Sequence, residues 1–149
     1  MMENKSMEER ALELFQRLRQ LDFDHCPNVD GIISPAQMTL LDKISKNPGC
    51  GVQDIAEQLN ISSPTVSVGV GKLEESGLVT RKPNPEDRRS VQFFPTPHGE
   101  NLHKKFQQSR LQKFRRLLAG LTIQEQETML QLLEKALNNT ELSESQNKK

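Results

Sequence analysis

The chain has 149 residues, 27% charged and 34% hydrophobic, with a formal net charge of zero. Two cysteines, Cys26 and Cys50, make neither a disulfide framework nor a metal motif, and no apolar run approaches a membrane span. The start, MMENKSMEERALEL, is charged and lacks the apolar stretch of a secretory signal, so a cytoplasmic protein is expected.

The zero net charge conceals a strong asymmetry. Residues 1–60 carry six Lys/Arg against ten Asp/Glu, residues 61–118 carry eleven against five, and residues 119–149 carry three against five. A positive field confined to the middle of the chain suits a nucleic-acid face. The apolar share is lean for a self-contained core, which favours further burial in a second copy.

The first predicted helix covers 6–24, with Ala11, Leu14, Phe15, Leu18 and Leu21 recurring at three- and four-residue steps. Pro27 and Gly31 break it. Ser34-Pro35 then opens a second helix, with Ser34 as N-cap and an apolar face of Met38, Leu41 and Ile44, Leu40 beside it. Asn47-Pro48-Gly49 stops that helix. A short helix over Val52–Gln58 places Val52, Ile55, Ala56 and Leu59 on one stripe.

After the turn at Asn60-Ile61, Ser62 or Ser63 caps a helix that runs to about Ser76 and ends at Gly77. Val66, Val70 and Leu73 are its apolar positions. The period then shortens to that of strands. Leu78–Lys82 and Ser90–Pro95 flank the polar loop Pro83–Arg89, which reads as a β-hairpin, with the second strand ending at Pro95. Thr96-Pro97 starts a long helix to about Ala119, broken at Gly120. Thr122 and Glu125 form a capping box for a last helix. Residues 139–149 read as a polar, flexible tail.

Three helices followed by a hairpin make a winged helix-turn-helix, so the expected fold class is mainly α with a small β-hairpin wing. The helix over 52–59 braces the next, whose first turn must enter a major groove. Side chains there must be small or polar, and Ser62, Ser63, Pro64, Thr65, Ser67 and Val68 fit. Hydroxyls can bond phosphates or base edges, and free N–H groups of the first turn attract phosphate. Arg88 and Arg89 at the hairpin tip can reach a neighbouring minor groove, while Lys72, Arg81 and Lys82 suit flanking phosphates. Taken singly, a serine-rich helix start is an ordinary N-cap and an arginine pair is a solvated loop; the ordered conjunction carries the claim.

The stretch DIAEQLNISSPTVSVGVGKLEESGLVTRKPNPEDRRSVQFFPTPHG, residues 54–99, resembles the MarR family of regulators. Thr65-Val66, Leu73-Glu74, Gly77-Leu78-Val79 and Arg81 match its recognition helix and the exit into the wing. Asp87-Arg88-Arg89 is similar to its wing signature, and Thr96 with Gly99 to its strand-to-helix junction.

The resemblance implies a transcription regulator, such as a repressor, that binds a pseudo-palindromic operator as a homodimer. Helices over 6–24 and 97–138 would dimerise, and 34–96 would form the DNA-binding lobe. Half-sites would lie roughly 34–36 Å apart or a multiple of that. It also implies a small-molecule effector. The chain departs from the family at Val68, often basic there, and at Gly71, often acidic; Gly69 and Gly71 in one helix each cost about 1 kcal/mol relative to alanine.

Cys26, after His25, is a candidate redox thiol, with a half-buried inert thiol as the alternative. His98 and His103 are five apart and share no helix face, so no metal site is expected. No nucleophile–base pair, phosphate-binding glycine loop or cofactor motif marks an enzyme. With no Trp and no Tyr, a stacking platform for single strands is poorly supplied. The competing reading is a winged-helix protein-interaction module without DNA binding.

Overall fold

Serine and threonine caps set where the helices begin. In a computed structural model, which describes residues 5–26 and 31–147, the order is α1 (Met7–Gln20), α2 (Pro35–Lys46), α3 (Val52–Leu59), α4 (Ser63–Glu75), β1 (Val79–Pro83), β2 (Val91–Pro95), α5 (Pro97–Leu118) and α6 (Ile123–Asn147). Ser6 and Ser34 each close a capping box, with Glu9 and Gln37 respectively. Thr122 and Glu125 do the same before α6, as the sequence predicts. The chain divides into two units, Met1–Leu111 and Gln112–Lys149.

In the first unit the core forms where α2, α3, α4 and the hairpin meet the start of α5. Leu41, Ile44, Ile55, Val66, Val70, Leu73 and Leu78 are fully buried, joined by Phe93, Leu102 and Phe106. The stripes expected on α2, α3 and α4 are therefore the faces that pack. Gly69 lies where α4 crosses α2, and a Cβ there would run into the side chain of Leu40.

The hairpin is antiparallel, with Val79 opposite Pro95 and Pro83 opposite Val91. Its loop is thus one residue later than expected, over 84–90. The far edge of β2 is also used: Phe93 N–H donates to Cys50 (2.9 Å) and its carbonyl accepts from Gly49 N–H (2.8 Å). This bridge ties the wing to the segment before α3, a non-local pairing that no periodicity announces.

The join between α4, wing and α5 is dense. Gly77 takes a left-handed φ of 70°, and Leu78 N–H donates back to the Leu73 carbonyl (2.9 Å). Thr96 Oγ1 donates to the Gly77 carbonyl (2.6 Å) and accepts from Gly99 N–H (3.0 Å), capping α5. Gly99 is buried against the Leu78 backbone, and any Cβ there would collide with the Leu78 carbonyl.

Three boundaries differ from expectation. α1 ends at Gln20, because Asp22 turns into a left-handed conformation (φ 46°), rather than running to 24. The expected break at Pro27 lies outside the described residues. Residues 139–147, expected as a polar tail, continue α6. Thr140, Ser143 and Ser145 hydroxyls there bond carbonyls four residues back, so polar composition does not prevent the helix. In the second unit, Gln126 Nε2 donates to the Leu118 and Leu121 carbonyls (3.2 and 3.1 Å). Among the described residues no helix is long and apolar enough to cross a membrane.

Candidate nucleic-acid interface

The helix pair α3 and α4 is joined by Asn60 in a left-handed conformation (φ 53°, ψ 47°), followed by Ile61 and Ser62. Asparagine tolerates that region better than most residues. Ser62, not Ser63, is the N-cap of α4. Its Oγ accepts from Thr65 N–H (3.3 Å) and lies 2.7 Å from Thr65 Oγ1. Two hydroxyls share one bond, so one hydroxyl proton of the pair remains for an outside acceptor.

The expectation of several free N–H groups at this turn needs correction. Pro64 has none, Thr65 N–H is used by Ser62 Oγ, and Val66 N–H donates to the Ser62 carbonyl (3.1 Å). Among the described first-turn residues, only the Ser63 N–H is left without a partner.

Val66, Val70 and Leu73 point inward, which leaves Pro64, Thr65, Ser67, Val68 and Lys72 exposed and Ser63 half-buried. The candidate residues of α4 therefore share the surface opposite the core.

At the wing tip, Asp87 organises the turn. Its Oδ1 accepts from Arg89 N–H (3.0 Å), and its carbonyl accepts from the N–H and Oγ of Ser90 (3.0 Å each). Asn84 Oδ1 accepts from Glu86 N–H (3.0 Å) in the same loop. This is the physical content of the Asp-x-Arg pattern: the carboxylate shapes the loop and the guanidinium stays outside. Arg88 and Arg89 are exposed, and neither forms an ion pair among the described residues.

Arg81 behaves differently from the expected phosphate contact. Its Nη2 donates to Glu74 Oε1 (2.6 Å) and its Nε to Glu74 Oε2 (2.9 Å), while the guanidinium lies 5.8 Å from the Phe93 ring centroid. The pair clamps the last turn of α4 to β1. Sequence reasoning missed Glu74 because its partner is seven residues away, across the Gly77 turn. Lys82 sits 5.0 Å from the Phe94 ring centroid.

The cysteines are internal. Cys26 is 1% exposed and its thiol donates weakly to the Lys105 carbonyl (4.0 Å). Burial of this kind favours packing over reactivity. Burial also pushes the Cys50 thiol up, with the Asp54 charge adding to it, which suppresses thiolate there. Beneath α2, Asp42 Oδ1 meets His103 Nε2 (2.8 Å) and accepts from Gln107 Nε2 (2.9 Å), while Oδ2 accepts from Lys46 Nζ (2.8 Å). His103 is thus an α2–α5 tie.

Residues 33–91, which hold α2, α3, α4, β1 and the wing loop, match the family model described as the MarR family. The chain carries a MarR-family domain. Among relatives, it is 25% identical over 132 residues to the HTH-type transcriptional regulator YybA of Bacillus subtilis, covering 89% of this chain and 83% of that one. It is 27% identical over 117 residues to the HTH-type transcriptional repressor MdtR of the same organism, covering 78% and 76%. Among solved structures, Streptococcus pneumoniae FabT in complex with DNA superposes with a TM-score of 0.73 at 21% identity, covering 91% and 95%. The chain shares the fold of these solved structures, mostly helical with a two-stranded wing.

Proposed function

We propose that this chain is a MarR-like regulator that binds duplex DNA sequence-specifically as a homodimer and regulates transcription from a pseudo-palindromic operator. The observation that carries the reading is the pairing of two surfaces of one lobe. One is the small, exposed face of α4 around Thr65, Ser67 and Val68; the other is a wing tip whose Arg88 and Arg89 charges are not neutralised by any described acid. Internal groups shape this loop and leave its cations to a partner, as a polyanion would require.

A second copy is supported by apolar surface. Leu12, Leu14, Phe15 and Leu21 of the α1 region are exposed, as are Leu130, Leu133 and Leu137 of α6. α1 has no buried residue at all. A stable chain rarely leaves such stripes in water. The expected contacts are base edges for the α4 hydroxyls, a minor groove for Arg88 and Arg89, and flanking phosphates for Lys72. A small-molecule effector is proposed from the family resemblance.

The test is titration of duplexes enriched from a random library at several salt concentrations. The logarithm of affinity should fall linearly with the logarithm of salt. Arg89→Ala should lower affinity and reduce the slope by about 1.8, the value for one phosphate in each half-site of the homodimer's operator. No salt-dependent binding to any duplex would overturn the reading in favour of a protein-interaction module.

A further inference from the structure

We propose that Val68 reads a thymine through its C5-methyl group in each half-site; this rests on the DNA-binding reading above. Val68 is 62% exposed on the outward side of α4. It lies one turn after Pro64 and one turn before Gly71, so the outward stripe of the helix carries no donor or acceptor side chain over these three positions. Thr65 and Lys72 lie to one side of that stripe and Ser67 to the other, all exposed.

The chemistry of the major groove narrows what such a stripe can recognise. Guanine, adenine and cytosine display only hydrogen-bonding groups there, and thymine alone adds a methyl. A valine facing N7, O6 or N4 strips water from a polar group and returns no bond, which is unfavourable. Against a thymine methyl the same side chain buries apolar surface. Valine is also stiff in a helix, with one dominant rotamer, so little freedom is lost on contact.

Gly71 supports the assignment. Gly69 is needed by the fold, since a Cβ there would meet Leu40, but a Cβ at Gly71 meets nothing within 4 Å. The protein's own packing therefore does not require glycine at 71. Its effect is on the outside: it leaves the γ-methyls of Val68 unshielded along the stripe and lets the helix lie close to the base edges.

The experiment uses the full chain and duplexes enriched from a random library. Each thymine is replaced singly, in both half-sites, by deoxyuridine, which deletes only the methyl group. One thymine per half-site should be methyl-sensitive, with affinity falling about fourfold per half-site, the worth of one buried methyl-sized group. In Val68→Ser, deoxyuridine at that position should change affinity less than about twofold, and library selection there should relax. If no thymine is methyl-sensitive, or if Val68→Ser keeps full sensitivity, the proposal is overturned while DNA binding stands. If the wild-type chain enriches no duplex, the DNA reading fails with it.

Discussion

Two glycines of α4 should respond in opposite ways to the same substitution. A helix-interior glycine costs about 1 kcal/mol relative to alanine. At Gly71 an added Cβ finds nothing within 4 Å, so Gly71→Ala should recover that full amount. For a chain of this size that is a rise of about 2–4 °C in the melting midpoint. At Gly69 the added Cβ meets the Leu40 side chain, which is itself buried in the α2–α4 contact. Overpacking costs about 1–3 kcal/mol and opposes the ~1 kcal/mol helix gain. The net is between neutral and about 2 kcal/mol destabilising. Thermal and urea denaturation at one fixed protein concentration would read both, since a dimer's midpoint depends on concentration. Combining Gly69→Ala with Leu40→Ala should cost less than the sum of the two, because the truncated side chain makes room. A lowered midpoint for Gly71→Ala, or equal shifts for the two glycines, would refute the assignment of one glycine to packing and the other to the surface.

Gly99→Ala should cost about 3 kcal/mol or more, because the obstruction is the Leu78 backbone, which no rotamer change can clear; a near-wild-type urea midpoint would contradict this. Glu74→Gln should lose about 1 kcal/mol or less at low ionic strength, as the Arg81 partner is exposed and Glu74 only half-buried, and the difference should shrink in 1 M salt. A difference that survives high salt would mean that Glu74 acts through its short-range hydrogen bonds to Arg81 rather than through its charge. At Asp42, burial raises the carboxyl, but the hydrogen bonds and charges of Lys46 and His103 outweigh it and hold it below its ordinary value. A depressed folded value means the contribution is complete above about pH 4, where the unfolded carboxyl ionises, and is lost as pH falls through the folded value. Asp42→Asn should therefore flatten the acid limb of the stability profile; an unchanged limb would show that the cluster is not coupled to folding.

Much of the lobe was legible because its signals are local. Alternation of three and four in Met38, Leu41 and Ile44, and in Val66, Val70 and Leu73, is a property of neighbouring residues, and each of those six is buried. Caps are local too: the hydroxyls of Ser34, Thr96 and Thr122 each accept from an N–H three residues on. The polar end of α6 was misread because composition speaks to solvation, whereas helix continuation depends on backbone bonds that serine and threonine can accompany.

The candidate interface was legible only as a set of residue types. That Ser62 and Thr65 share a hydroxyl bond, or that Arg81 is spent on Glu74 while Arg88 and Arg89 are not, depends on where the Gly77 turn and the wing loop point. By itself, the sequence determined the order of elements, the buried face of each lobe helix and the concentration of positive charge after residue 60, since all three follow from spacing along the chain. Tertiary structure alone decided which cations remain free, which glycine serves packing, and that β2 bonds Cys50 as well as β1, because each depends on groups brought together from distant parts of the chain.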